Sequence, residues 1–245
     1  MDHRERGGTV QGWAGIPRLV GAHIGESAAV DSRSVPGVEL AILLFDDITA
    51  LDAIGPYEVL HRVPGMEVHF VAAEPGPKRT AQGALALVAD RAVEAVPAPD
   101  IVLVPGGTGE RKVRDDARVT SWLQEAHARS RFTTSVCTGS LVLAAAGILA
   151  GVRATTHWLA MEELGRLGAI PVTERVVESG KIVTAAGVSS GIDLALVLAA
   201  RIADDDVARA IQLSIEYDPA PPFDAGSPFT APDHVVAAQR AGSRF

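Results

Sequence analysis

The strongest constraint on this chain is a series of short, nearly continuous apolar runs, each stopped by turn residues or by the start of a helical pattern. Glu39-Leu40-Ala41-Ile42-Leu43-Leu44-Phe45 ends in Asp46-Asp47, and similar runs follow at 66–73, 100–104 and 132–136. A run without polar alternation is the pattern of a strand buried on both faces. Between the runs lie helical stretches: 56–62 with Pro56 at its first position, 116–130, 139–149 stopped by Gly151, and 156–167 stopped by Gly168. Strand alternating with helix predicts a mostly parallel α/β sheet covered on both sides, a three-layer α/β/α sandwich.

Beyond Gly168 the text predicts a hairpin, 173–178 and 181–184, turning at Ser179-Gly180. A helix over 190–202 follows, apolar on most faces, and then a helix over 205–217 with acids in its first turn. The segment 218–232 carries five of the chain's 15 prolines and is read as neither helix nor central strand. Phe223 and Phe229 favour an extended strap over the domain or over a second subunit, and a solvated linker fits the composition equally well. Residues 1–36 show no sustained period and are expected to be a flexible extension. The division expected is therefore 1–36 extension, 37–217 catalytic domain, and 218–245 proline-rich strap and tail.

Charge and cysteine usage narrow the function. Lys plus Arg number 22 against 30 Asp plus Glu, giving −8, and basic residues form no run longer than two. Nucleic acid is excluded as an expected partner on that ground. No uninterrupted apolar window of about 18 residues is present, so no membrane span is expected, nor does the start resemble a secretory signal. A reducing cytoplasm is the expected location. Cys137 is the single cysteine, which removes disulfides and thiolate metal clusters from consideration. The histidines show no metal-ligand spacing, so no metal is expected.

In an open parallel sheet, ligands bind outside the carboxyl ends of the strands. Cys137 ends the run 132–136 and opens Thr138-Gly139-Ser140-Leu141, a strand-to-helix turn of nucleophile-elbow type. Such a turn is expected to lower the thiol's pKa through backbone amides and the helix N-terminus. A lone cysteine is commonly an inert core residue, and it is the elbow position that favours a nucleophile. Pro105-Gly106-Gly107-Thr108-Gly109 follows another strand end; it is neither a phosphate loop nor a dinucleotide fingerprint, and it suits either an oxyanion-type amide cradle or a plain tight turn. Asp52, in the loop after the first strand, is read as a helix-entry cap or as an acid/base partner of Cys137, with its pKa raised beside the sulfur. His157 is a base or a first-turn histidine buried beside Trp158.

Four segments carry a resemblance: Leu51-Asp52-x-x-Gly55-Pro56-Tyr57-Glu58, Val104-Pro105-Gly106-Gly107, Thr134-Ser135-Val136-Cys137-Thr138-Gly139-Ser140 and Ala154-Thr155-Thr156-His157-Trp158. They resemble the PfpI-like branch of the class I glutamine amidotransferase-like superfamily. Gly191-Ile192-Asp193 and the tail from Glu216 to Pro228 are similar to its isonitrile-hydrating members. The resemblance covers about residues 38–232. It implies a flavodoxin-like fold and a homodimer, with Cys137 as nucleophile, Asp52 as its acidic neighbour, Thr138 orienting water, and Gly106 and Gly107 at the substrate, with amides around Gly107 and Thr138 holding developing charge. The substrate implied is a small isonitrile, hydrated to a formamide without a cofactor. Thr138 stands where protease-like relatives carry His, which fits a reaction that breaks no carbon–nitrogen bond. A glyoxalase-like or deglycase-like reaction at the same cysteine is the alternative enzyme. A ligand-sensing domain related to AraC-type regulators is the alternative from another class, and the 13 residues after Pro232 are too few for its helix-turn-helix units.

Overall fold

The computed structural model describes residues 37–245; the extension expected over 1–36 lies outside the described residues. The chain runs β1 (Val38–Leu43), α1 (Ala50–Leu60), β2 (Met66–Ala72), β3 (Gly76–Arg79), β4 (Ala86–Ala89), β5 (Arg91–Ala92), β6 (Ile101–Val104), α2 (Glu110–Arg114) and α3 (Ala117–Arg129). It continues through β7 (Phe132–Val136), α4 (Gly139–Ala145), β8 (Arg153–Ala154), α5 (Met161–Arg166), β9 (Ile170–Pro171), β10 (Val176–Ser179), β11 (Ile182–Ala185), α6 (Ser190–Ile202), α7 (Asp205–Ser214) and α8 (Asp233–Ala241).

Seven strands form one sheet in the order β10-β11-β7-β6-β1-β2-β5, parallel throughout except for the β10–β11 edge pair. The apolar runs of β1 and β6 lie at its centre, where Leu40, Ile42, Ile101 and Leu103 are fully buried. Helices α1, α6 and α7 pack together on one side, and α2, α3, α4 and α5 on the other. This is the three-layer sandwich that the alternating pattern predicts, in the flavodoxin-like form that the resemblance implies. The chain leaves β1 for β2 on one side and returns to β6 on the other, so the crevice of this fold falls beyond the carboxyl ends of β1, β6 and β7. Among the described residues, no helix is long and apolar enough to cross a membrane.

Several boundaries move. The first helix begins at Ala50, not Pro56, so Asp52 sits in its first turn instead of in a loop, and Pro56 lies inside the helix. Pro56 packs closely against Gly191 of α6; a Cβ on Gly191 would stand 3.1 Å from Pro56 Cγ and 3.1 Å from Val136 Cγ2. The hairpin register is Ser179 opposite Ile182, so Gly180-Lys181 makes the turn, with Gly180 at φ +62°. The stretch 156–167 is a short 3₁₀ turn at Trp158–Ala160 followed by α5. The small β3–β4 hairpin and α8 are additions; the first is too short, and the last too polar, to stand out as a periodic segment.

The tail is pinned at its start. Tyr217 donates its hydroxyl to Asp193 at 3.3 Å, and Asp193 also accepts from Arg175 Nε at 2.6 Å. Phe223 and Phe229 are each 77% exposed, and Phe229 borders a cavity of the domain.

Candidate active site

Cys137 lies between β7 and α4 with φ +56°, a left-handed conformation that is costly for any residue with a side chain. The surroundings over-determine it. Its N–H donates to the Ala186 carbonyl at 2.8 Å, and its own carbonyl accepts from Thr156 Oγ1 at 3.0 Å and from Ser140 Oγ at 3.2 Å. The backbone amides of Thr138 and Val188 face the sulfur. These are the strained geometry and amide cradle of a nucleophile elbow.

Asp52 is fully buried and close enough to the Cys137 thiol that each group perturbs the other's ionisation. Its Oδ2 accepts from Gly106 N–H at 2.9 Å, while Oδ1 is buried without a partner among the described residues. Burial drives its pKa up from 3.8 to about 7, against the opposing pull of the Gly106 amide and the thiol. The thiol also moves up, pushed first by burial and then by the Asp52 charge, which together outweigh the two amides. The lowered thiol pKa expected at an elbow is therefore not found. Instead, two acidic groups compete for ionisation, and near neutral pH the pair holds a mobile proton.

The paired glycines serve this arrangement from behind. A Cβ on Gly106 would fall 2.6 Å from Thr138 N and 2.9 Å from Asp52 Oδ2, so only glycine lets the turn close on the pair. Gly107, at φ +145°, donates its N–H to Thr138 Oγ1 at 3.0 Å, and its carbonyl lies 3.3 Å from the same hydroxyl. The Gly107 amide is thus spent on Thr138, not on the sulfur; Val188 supplies the amide that the sequence reading assigned to Gly107. A backbone donor leaves no side-chain signature, and no feature of the residue type at position 188 could have marked it.

A cavity of about 500 Å³ opens beside the elbow. Thr156, Ala186 and Val188, which hold Cys137, form part of its wall, as does Leu51, the residue before Asp52. Trp158, Met161, Pro228 and Phe229 make much of the remainder apolar, with Arg175 at the rim. Residues 226–229 of the tail therefore line this cavity. His157 also lines it, but its Nδ1 accepts from Leu159 N–H at 3.3 Å and burial lowers its pKa, so the neutral, backbone-bonded histidine is what the structure contains. Away from this end of the sheet, His69 Nε2 lies 3.1 Å from Glu39 Oε1 and 3.4 Å from Glu67 Oε1, toward the amino ends of β1 and β2. Sequence spacing did not reveal that grouping because Glu39 joins it from the neighbouring strand.

A cysteine on a strained elbow at the carboxyl edge of a parallel sheet, paired with a buried acid from the first helix, defines a class of proteins. The model of the DJ-1/PfpI family matches residues 38–201, and the chain belongs to that family. Within it, the chain is 45% identical over 199 residues to an isonitrile hydratase from Pseudomonas putida, covering 81% of this chain and 87% of that one. It is also 30% identical over 171 residues to the HTH-type transcriptional regulator CdhR of Pseudomonas aeruginosa, covering 68% of this chain but 50% of the regulator. Among solved structures, a ThiJ/PfpI family protein from Pseudomonas syringae superposes with a TM-score of 0.83 at 35% identity, covering 89% of this chain and 92% of the other.

Proposed function

We propose that this protein is an isonitrile hydratase, a cofactor-independent enzyme that adds water to R–N≡C to give R–NH–CHO. The observation that carries this reading is the buried Cys137–Asp52 pair in a chain so similar to an enzyme of that name. Cys137 sulfur attacks the terminal carbon of the isonitrile. Its thiol proton passes to Asp52 and from Asp52 to that carbon, giving the thioimidate R–N=CH–S–Cys137. Water then adds to the same carbon, with Asp52 taking one of its protons and passing it to nitrogen. The carbon–sulfur bond breaks, the remaining hydroxyl proton returns to sulfur, and the formamide leaves. Overall, one water is consumed and every protein proton is restored.

Each group has a physical reason for its role. A carboxyl titrating near 7 can both give and take a proton at neutral pH. The Thr138 and Val188 amides stabilise negative charge on sulfur as it attacks and leaves. Thr138 Oγ1 accepts one bond from Gly107 and keeps a lone pair with which to orient the water. Gly106 and Gly107 act at the substrate end by holding Asp52 and Thr138 against the reacting carbon. Apolar walls at Leu51, Trp158, Met161 and Phe229 suit an apolar R group.

The direct test offers aliphatic and aromatic isonitriles beside methylglyoxal, with Cys137→Ala as control and mass spectrometry for products. Formamide formed by the wild type alone is the expected result. Turnover confined to methylglyoxal, or formamide from the alanine variant, would overturn the reading. We also infer a cytoplasmic homodimer without nucleic-acid or metal partners, with 37–217 as the catalytic domain and 218–245 as the strap and tail. Exposed Phe223, Phe229 and Leu213 favour a covering second copy. Sedimentation equilibrium should give twice the chain mass, and a monomer at micromolar concentration would refute it.

A further inference from the structure

A buried charge that this mechanism leaves unused is the carboxylate of Glu110, whose two oxygens face guanidinium groups without a well-formed hydrogen bond. It opens α2 directly behind the Gly106-Gly107-Thr108-Gly109 turn and is fully buried. A buried carboxylate is tolerated only when charged partners meet it. Two guanidinium groups do so: Arg114 Nε lies 2.7 Å from Oε2, and Arg244 Nη2 lies 3.0 Å from Oε1. Arg114 is braced in turn by Glu163 at 2.9 Å.

Arg244 does more than balance charge. Its Nη1 donates to the Thr108 carbonyl at 3.0 Å, and its Nη2 donates to the Gly107 carbonyl at 3.1 Å. One planar fork therefore spans two successive carbonyls of the turn and the carboxylate that follows them, a task suited to Arg and not to the single point charge of Lys. The segment bearing it is itself held. Arg111 donates to the Arg244 carbonyl at 3.3 Å, and the Phe245 ring, packed against the core, lies 4.6 Å beneath the guanidinium. On its inner side the same turn makes the catalytic contacts: Gly106 N–H to Asp52, and Gly107 N–H to Thr138 Oγ1. The outer and inner contacts meet at Gly107, whose carbonyl accepts from Arg244 while its N–H donates to Thr138.

We propose that Arg244 is a positioning residue, a latch from the tail that fixes the Gly106–Thr108 peptides so that Asp52 and Thr138 stay aligned with Cys137. The proposal rests on the roles given above to Asp52, Thr138 and Cys137. It assigns to the last residues of the sequence a part in a site built from the first half of the sheet.

The experiment uses full-length Arg244→Ala and Arg244→Lys, each checked for native circular dichroism. Two measurements are made: kcat and KM on an alkyl isonitrile, and the pH dependence of Cys137 alkylation by iodoacetamide, which needs no substrate. Arg244→Ala should lower kcat by about 10- to 100-fold, with KM changed by less than about threefold, the scale expected when a distant change misplaces reacting groups. The first inflection of its alkylation profile should move upward by about half a pH unit or more, because a loosened Gly106 amide no longer favours ionised Asp52. Lys keeps a cation beside Glu110 but cannot span both carbonyls, so Arg244→Lys should still lose at least about threefold in kcat. If the alanine variant does not fold, the lysine variant decides. Unchanged kcat and an unchanged alkylation profile, or a rise in KM alone, overturn the latch. An alkylation shift in a protein whose wild type ignores isonitriles would uphold the latch and refute the assigned reaction.

Discussion

Cys137→Ser is expected to fold normally and to lose isonitrile turnover by at least about 10⁴-fold in kcat/KM, a loss on the scale seen when a covalent nucleophile is removed. The fold should survive because the elbow is held by main-chain bonds: Thr156 and Ser140 to the 137 carbonyl, and the 137 amide to Ala186. Serine keeps the side-chain size and leaves the Thr138 and Val188 amides in place. Chemistry should fail because a hydroxyl ionises far less readily than a thiol and needs a strong base beside it. Asp52, titrating near 7, is too weak a base for that task, and His157 already uses Nδ1 to accept the Leu159 amide. Cys137 is the sole cysteine, so alkylation of the wild type should add one equivalent, with activity falling in proportion, and the serine variant should take up none. Residual turnover above about 1% in Cys137→Ser, or full activity in fully alkylated wild type, would move the nucleophile elsewhere.

Much of this site was legible in the sequence because its chemistry is tied to local pattern. The run 132–136 becomes β7 with those same ends, and a cysteine between such a run and a small-residue helix start can only stand on the turn. Asp52 stands out as a candidate in the sequence, but its setting in the first turn of α1 does not. Pro56 looked like a first helical residue, and Thr49, although extended at the N-cap, makes no side-chain capping bond that would mark an earlier start. That Pro56 instead lies inside α1 and packs against Gly191 of α6 is a tertiary contact that no local pattern carries. The direction of the thiol's pKa was also out of reach, since a turn in isolation offers amides while the folded site adds burial and a nearby carboxyl. Two further contacts were invisible for different reasons. The Val188 amide belongs to the backbone and could be any residue, and the Glu110–Arg244 pair joins positions that no periodicity relates.

Asp52→Asn should separate activity from stability in opposite directions. Turnover should fall by about 10²- to 10⁴-fold, the usual worth of a general acid–base group, since an amide can neither pass the thiol proton to carbon nor take one from water. Its carbonyl can still accept from Gly106 N–H, so the turn need not move. Stability follows from the raised pKa. Between its ordinary 3.8 and about 7, the folded chain keeps a proton on Asp52 that the unfolded chain has released. The stability this confers is complete below about pH 4 and disappears as pH rises through 7, above which the wild type carries a buried charge. Three units at about 1.4 kcal/mol each set a ceiling of roughly 4 kcal/mol on that cost. Asparagine carries no charge, so the variant should melt above the wild type at pH 8.5 and show no such advantage at pH 4. A buried residue with a purely structural role would lose stability and activity together. A lower melting temperature at pH 8.5, or wild-type turnover in the asparagine variant, would remove Asp52 from the proton path and leave Cys137 without its partner.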